Sequence, residues 1–272
     1  MGNGTFTAPD IDQNAAAVFQ SQGYFQAPQL IPDDLLNNSV AHMDQVIAGQ
    51  YETDPVIRHH FSRTVEPGSP QDRLIKINNA HGVDATLLSL ISYPAIGAWA
   101  SFMLGGVDRV QVWHTQLLYK PPGSSSKGNI GIHQDFNYWQ FFDKIDGILT
   151  AWIALSDVAV PSGAMRFVPG SHRWPLIDPG NFAEQDERKA LAAIEVPDGE
   201  EWTEHAAVMP RGAVSFHHPM TFHGSGPNVS DQPRRSIAVH LCSEGSRVVK
   251  ENPFVSDETL KSAEENPVIF QR

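Results

Sequence analysis

The first third of the chain alternates apolar and polar residues with the period of an α-helix. Apolar side chains recur three or four positions apart, and a proline followed by acidic residues indicates a helix start. The pattern predicts helices over residues 10–22, 32–49 and 84–103. Pro94 is expected to kink or split the last helix, because proline lacks the amide hydrogen that a helix interior uses. A short extended segment is predicted from Gly23, and the polar residues 50–73 are predicted to form a loop.

From Val110 onward the pattern changes to short β-rich runs separated by proline and glycine. Strands are predicted over residues 110–119, 130–137, 147–156, 164–168, 205–209, 213–217 and 235–242. Many short strands separated by turns favour a sandwich or a closed barrel. Because the helices come first and the strands afterwards, the predicted fold class is α+β, mainly β, with one hydrophobic core.

The whole chain, residues 1–272, is predicted to be a single domain. Its helical part is expected to cover residues 1–106, and its barrel core residues 107–245. Residues 173–200 are rich in Asp, Glu and Pro and interrupt the predicted strands. We expect this insertion to cover one mouth of the barrel as a lid.

Composition narrows the functional classes. The chain has 31 acidic residues against 19 Lys and Arg, a formal charge of −12, which argues against nucleic acid and anionic membranes as partners. Its one cysteine, Cys242, excludes an internal disulfide framework and fits a reducing compartment. No signal peptide is visible, and no uninterrupted apolar run is long enough to span a bilayer. A cytoplasmic protein is therefore expected.

One histidine and one carboxylate lie two residues apart within a predicted strand. Side chains alternate faces along a strand, so His133 and Asp135 are expected to point to the same side. His223, far along the chain, is the candidate for a third ligand. Two histidines and one carboxylate form the ligand set that suits non-haem iron(II). The alternative is an ordinary strand histidine hydrogen-bonded to a nearby acid.

A basic residue follows the distal histidine at the start of the next predicted strand. From there Arg234 can reach the same cavity and bind a carboxylate through two parallel hydrogen bonds. The alternative is a surface salt bridge, which the pair formed with Arg235 also allows.

Several motifs, in this order, resemble the phytanoyl-CoA dioxygenase family of Fe(II)/2-oxoglutarate-dependent oxygenases. They are Lys120-Pro121-Pro122, His133-Gln134-Asp135, Ala151-Trp152, Pro169-Gly170-Ser171-His172, Phe216-His217-His218-Pro219 and His223-Gly224-Ser225-Gly226. The resemblance extends over nearly the whole chain. It implies a double-stranded β-helix, or jelly-roll, barrel with N-terminal and flanking helices packed outside.

The resemblance also implies the roles of individual residues. The iron ligands would be His133, Asp135 and His223. Arg234 would bind the distal carboxylate of the cosubstrate 2-oxoglutarate with help from Ser225, while Trp152, Gln116 and Lys76 fall where family members contact the cosubstrate. Halogenating relatives replace the carboxylate ligand by Gly or Ala, so Asp135 argues against halogenation. The implied reaction uses O2 and 2-oxoglutarate to oxidise a C–H bond of a small organic molecule, releasing succinate and CO2.

Substrate contacts are predicted for residues near the iron motif, namely Tyr138, Trp139 and His114. Hydroxylation is the first expectation for the reaction, with desaturation, cyclisation and epimerisation as variants. A competing hypothesis is a metal-binding, non-redox cupin-like isomerase or small-molecule binding protein, which has no use for a carboxylate clamp at Arg234. A serine hydrolase built on Gly224-Ser225-Gly226 is disfavoured, because the G-x-S-x-G elbow is missing.

Overall fold

A computed structural model describes residues 11–12, 14–58, 60–124, 128–177, 191–192, 194–256 and 258–272. Its helices are α1 (Asn14–Gln22), α2 (Asp33–Ile47), α3 (Ala85–Ile91), α4 (Pro94–Met103) and α5 (Phe136–Trp139). The predicted split at Pro94 is confirmed, because Pro94 is the first residue of α4. Pro32 caps α2, and two aspartates in its first turn favour the positive end of the helix dipole.

The strands are β1 (Tyr24–Gln29), β2 (Ser62–Arg63), β3 (Ile75–Asn78), β4 (Arg109–Lys120), β5 (Ile130–His133), β6 (Ile148–Ala154), β7 (Met165–Phe167), β8 (His205–Ala206), β9 (Ala213–His217), β10 (His223–Ser225), β11 (Arg234–Ser243) and β12 (Val268–Gln271). Within the described ranges they form two antiparallel sheets. The larger has the order β1-β9-β6-β11-β4-β3-β2, with β12 also paired to β4, and the smaller has the order β5-β10-β7-β8. This arrangement confirms the predicted mainly β, jelly-roll class.

The large sheet separates a helical layer from a cavity. Its strands alternate, so that Ile237, Val239 and Leu241 of β11 join the core formed with the helices. Ala238 and His240 of the same strand face the opposite side, towards the small sheet. The inner faces of the two sheets therefore enclose the space in which polar side chains from distant strands meet.

The N-terminal part is less purely helical than the pattern predicts. Strands β1, β2 and β3 all lie before residue 107, and they extend both ends of the large sheet. After residue 245, β12 adds a further strand beside β4. The sequence pattern missed β2, β3, β10 and β12, because strands of two to four residues carry too few alternations to be recognised.

The predicted lid is described only at its ends, since residues 178–190 and 193 lie outside the described residues. At its start Trp174 packs against Phe222 and Trp202. Gln134, between the two residues of the H-x-D motif, donates to the carbonyl of Pro175 and accepts from the amide of Ile177. The beginning of the insertion is thus attached directly to the motif, while its role as a lid stays a prediction.

One helical stretch in the described part of the chain, Ala85–Met103, is long and apolar enough by composition to cross a membrane. It consists of α3 and α4, and 61% of it is buried inside the structure. Most of its apolar residues belong to the hydrophobic core that the helices share with the large sheet.

Candidate active site

Three side chains from two neighbouring strands and the turn after one of them converge. His133 ends β5 and His223 begins β10, and the two residues are direct partners across these antiparallel strands. Their Nε2 atoms lie 3.3 Å and 3.7 Å from Oδ1 of Asp135. All three side chains are buried. The structure therefore brings together the three metal ligands predicted from the sequence in an arrangement that can hold a metal ion.

Strand alternation, predicted to bring His133 and Asp135 together, is wrong as the cause of their proximity. The strand predicted over residues 130–137 ends at His133, and Asp135 has helical dihedral angles (φ −53°, ψ −36°) at the start of α5. The amide of Phe136 donates to the carbonyl of Pro219, which fixes the turn. This turn, rather than strand alternation, places the carboxylate beside the imidazole.

Backbone carbonyl groups orient both histidines. Nδ1 of His133 donates to the carbonyl of Gly131 (2.8 Å), and Nδ1 of His223 donates to the carbonyl of Thr221 (2.9 Å). A carbonyl oxygen can only accept, so the proton of each neutral ring lies on Nδ1. The lone pair of each Nε2 is then directed at the centre of the cluster, as metal-binding histidines require.

The two oxygens of Asp135 have different surroundings. Oδ2 accepts a hydrogen bond from Thr150 Oγ1 (3.1 Å) and lies 3.4 Å from Nε2 of His217. Oδ1 faces His133 and His223, which makes it the oxygen available to a metal. Burial opposes ionisation of this carboxyl, but His223, His133 and His217 together outweigh it and hold its pKa well below the usual range. His217 thus contacts Asp135 without belonging to the cluster of three.

Arg234 is buried in the same cavity. Its Nη1 donates to the carbonyl of Gly163 (2.9 Å), while Nε and Nη2 have no partner among the described residues. Its guanidinium lies 5.2 Å from the ring centre of Trp152. Burial lowers the pKa of Arg234 to about 9. Buried donors without a partner are costly, so this arrangement fits an anion such as a carboxylate, and the surface salt-bridge alternative is wrong.

Lys120 is a further buried cation that sequence reasoning noted only as part of a motif. Its Nζ donates to Oγ (2.7 Å) and the carbonyl (3.2 Å) of Ser225. Burial, then the neighbouring Arg234 and Arg166, hold the pKa of Lys120 well below its ordinary value. Since Ser225 Oγ accepts from Lys120, its own proton is available to donate into the cavity.

The remaining predicted site residues line the same cavity as the triad. They are Lys76, Gln116, Trp152, Ser225, Tyr138, Trp139 and His114. Sequence reasoning missed other lining residues, namely Thr150, His240, Met165 and Phe254. The signal that could have found Thr150 and His240 is alternation, since each lies on the cavity side of a strand that carries predicted site residues.

Comparisons with known proteins identify the family that this chain resembles. The family model described as Phytanoyl-CoA dioxygenase (PhyH) matches residues 19–236. The chain is 24% identical over 231 residues to the peroxisomal phytanoyl-CoA dioxygenase of Homo sapiens, covering 83% of this chain and 66% of the relative. It is 25% identical over 262 residues to the ectoine dioxygenase of Streptomyces avermitilis, covering 92% of this chain and 83% of the relative. The chain thus spans about two thirds of the human relative.

The fold is also similar to that of solved structures. The epimerase SnoN, in complex with Fe3+, alpha ketoglutarate and nogalamycin RO, superposes with a TM-score of 0.70 at 21% identity. That alignment covers 94% of this chain and 97% of SnoN. The family model and the relatives agree on the family, and the solved structure has a similar fold. The chain belongs to the phytanoyl-CoA dioxygenase family.

Proposed function

We propose that the protein is a non-haem Fe(II)/2-oxoglutarate-dependent oxygenase that oxidises a C–H bond of a small organic molecule. The observation that carries the proposal is Arg234, a buried guanidinium in the cavity of the His133, Asp135 and His223 cluster. Two of its nitrogens, Nε and Nη2, have no hydrogen-bond partner among the residues that the structure describes. Three convergent ligands suit Fe(II), and a bidentate cation suits the distal carboxylate of 2-oxoglutarate. The relatives' names support the same cofactors and O2.

Different residues along the cavity would bind the metal and the cosubstrate. His133, Asp135 and His223 would hold the metal, with Oδ1 of Asp135 as the carboxylate ligand. Arg234 and the hydroxyl of Ser225 would bind the distal carboxylate, while Trp152 packs beside it. Gln116 and Lys76 line the wall between these ends, where the sequence predicts cosubstrate contacts. When bound, iron, 2-oxoglutarate and O2 supply the oxidising power for hydrogen removal from the substrate, with succinate and CO2 as co-products.

Hydroxylation is the reaction we propose first. The similar ectoine dioxygenase and the epimerase SnoN show by their names that related folds serve more than one outcome. The chain keeps Asp135, which argues against halogenation. The non-redox alternative, a cupin-like isomerase or binding protein, explains a metal cluster but gives no reason to bury Arg234 with unused donors. A single domain and a cytoplasmic location complete the proposal.

The deciding experiment measures succinate. Purified protein, stripped of metal with a chelator and reloaded with Fe(II), is incubated with 2-oxoglutarate in air. We expect succinate to form slowly without substrate, only when both iron and oxygen are present. A protein that binds Fe(II) at the triad but forms no succinate under any condition, including a screen of small-molecule substrates, would favour the non-redox alternative.

A further inference from the structure

A pair of histidines lies at the end of the cavity away from Arg234. His114 and His240 are direct partners across β4 and β11. On the same two strands Gln116 pairs with Ala238, and Lys120 pairs with Arg234. Six residues of extended strand separate Arg234 from His240, about 20 Å of backbone. The pair His114 and His240 is therefore well separated from Arg234, the proposed binding residue for the 2-oxoglutarate carboxylate.

Aromatic rings enclose this histidine pair. The rings of His114 and His240 are parallel within 5° and 5.5 Å apart. The ring centres of Trp139 and His240 are 4.7 Å apart, and those of Phe254 and His114 are 5.3 Å apart, both pairs in an edge-to-face arrangement. All four residues line the cavity. Among the described residues, this end is thus a largely aromatic pocket with imidazole nitrogens that have no hydrogen-bond partner.

A proton count fixes the tautomer of His240. Thr150 Oγ1 has one proton, which it donates to Oδ2 of Asp135. Thr150 Oγ1 must therefore accept the hydrogen bond that joins it to Nδ1 of His240 (2.9 Å). The ring proton of His240 then lies on Nδ1. Burial lowers the pKa of His240 to about 4, so the ring is neutral at pH 7. Its Nε2 carries a lone pair and has no partner among the described residues.

His114 adds a second unsatisfied ring. Neither Nδ1 nor Nε2 of this buried residue has a hydrogen-bond partner in the described part of the chain. Burial, then the neighbouring His240, hold the pKa of His114 well below its ordinary value. A neutral imidazole offers one donor and one acceptor. Buried polar atoms of this kind are normally satisfied, so three such nitrogens side by side indicate a ligand that bonds to them.

We propose that His114 and His240 form the substrate-recognition edge of the cavity and that the substrate presents a hydroxyl or amine group to Nε2 of His240. This inference deepens the proposed oxygenase function and rests on it. A carboxylate or a ketone has only acceptor atoms, so it can accept from His114 but offers no proton to the lone pair of His240 Nε2. The carbon skeleton that bears the donor lies between Trp139 and Phe254, within reach of the metal site through Thr150 and Asp135. Lys76, opposite Leu118 on the neighbouring strand, is near enough for its charge to disfavour protonation of both rings.

The test uses matched ring compounds as probes of donor chemistry. The full-length protein is loaded with Zn(II), a diamagnetic substitute for iron, and 2-oxoglutarate, and the histidine nitrogens are observed by 1H–15N NMR. We expect Nδ1 of His240 to be protonated and Nε2 to be bare. Cyclohexanol should shift the Nε2 signal and bind about fivefold more tightly than cyclohexanone or cyclohexanecarboxylate, the value of one hydrogen bond.

Variants make the outcome specific. H240L and H114L should each reduce the preference for cyclohexanol, and thermal unfolding of each variant shows that it folds. H205L, at an exposed histidine on β8, is the matched control and should keep the preference. Equal affinity for the three probes, binding of none of them, or an unchanged preference in H240L would overturn the assignment. If Zn(II) or 2-oxoglutarate fails to bind at all, the oxygenase proposal falls with it; if both bind, only this inference is at stake.

Discussion

Arg234 and Arg235 are adjacent in sequence but project from opposite faces of β11. Arg234 is 1% exposed and points into the cavity beside Trp152. Arg235 points to the other side, where its guanidinium binds the carboxylate of Asp44 on α2 through two hydrogen bonds of 3.0 Å and 2.9 Å. Strand alternation thus gives two identical side chains unrelated tasks.

This pair supplies a matched test of the carboxylate clamp. R234L should weaken 2-oxoglutarate binding by about 100-fold, the worth of a buried, charge-assisted bidentate contact. R235L removes an exposed ion pair and should change the affinity less than about threefold. Isothermal titration of the metal-loaded variants with 2-oxoglutarate measures both. Equal losses in the two variants would show that Arg234 has no special role.

The hydrogen bond from Thr150 to Asp135 predicts a supporting residue for the metal. T150V keeps the shape of the side chain but leaves Oδ2 of Asp135 without its hydroxyl donor. Loss of such a contact typically weakens metal binding by about 10- to 100-fold. Titration with Mn(II), which is stable in air, measures the dissociation constant. T64V, at an exposed threonine beside β3, is the control, and a similar loss there would contradict the assignment.

His81 predicts how stability depends on pH. It is buried, with Nδ1 near Thr115 Oγ1 and Nε2 near the carbonyl of Glu265. Burial lowers its pKa to about 4, against 6.5 when unfolded, despite the hydrogen bond to Glu265. The unfolded state therefore takes up a proton first as the pH falls. The stabilising contribution of neutral His81 is complete above pH 6.5 and is lost towards pH 4.

Between pH 7.5 and pH 5 this one group should lower the free energy of unfolding by about 2 kcal/mol. Urea unfolding at the two pH values measures the change. H81Q should be less stable at pH 7.5 but should show a smaller decrease on acidification. H205Q, at the exposed histidine, should keep the decrease of the wild type. A wild-type decrease that H81Q fully retains would rule out His81 as its source.

Gly23 predicts a link between the N-terminal helix and the distal histidine. It has a left-handed conformation (φ +79°), and an added Cβ would collide with the side chains of Thr221 and His172. Its carbonyl accepts from Thr221 Oγ1 (2.7 Å), two residues before His223. G23A should therefore destabilise the protein by about 2–4 kcal/mol and weaken metal binding.

Gly105 is the matched control for this substitution. It has a similar φ of +85° but no neighbour within 4 Å of an added Cβ. G105A should cost only the conformational penalty, about 1–2 kcal/mol, and should leave metal affinity unchanged. Thermal unfolding and Mn(II) titration distinguish the two glycines. Equal effects on metal affinity would show that the contact with Thr221 does not matter.

Local patterns were enough to predict much of this protein. Helical spacing and Pro94 predicted the helices, and β-rich runs between turn residues predicted most strands of the barrel. Both kinds of pattern depend only on residues that are close together in sequence. The H-x-D motif and the distal histidine identified the cluster, since they are chemically distinctive residue types. Arg234 was recognised from its position at the start of a strand. The resemblance to a known family indicated which of these residues bind the metal and which bind the cosubstrate.

Only the tertiary structure decided how the residues meet. The turn after β5 places Asp135 beside His133, and it depends on a hydrogen bond to Pro219, more than 80 residues away. The register of β4, β11 and β6 brings His114, His240 and Thr150 into one row. No local pattern contains that register, because it is set by pairing between strands far apart in sequence. The same pairing decides which buried nitrogens remain available to a substrate.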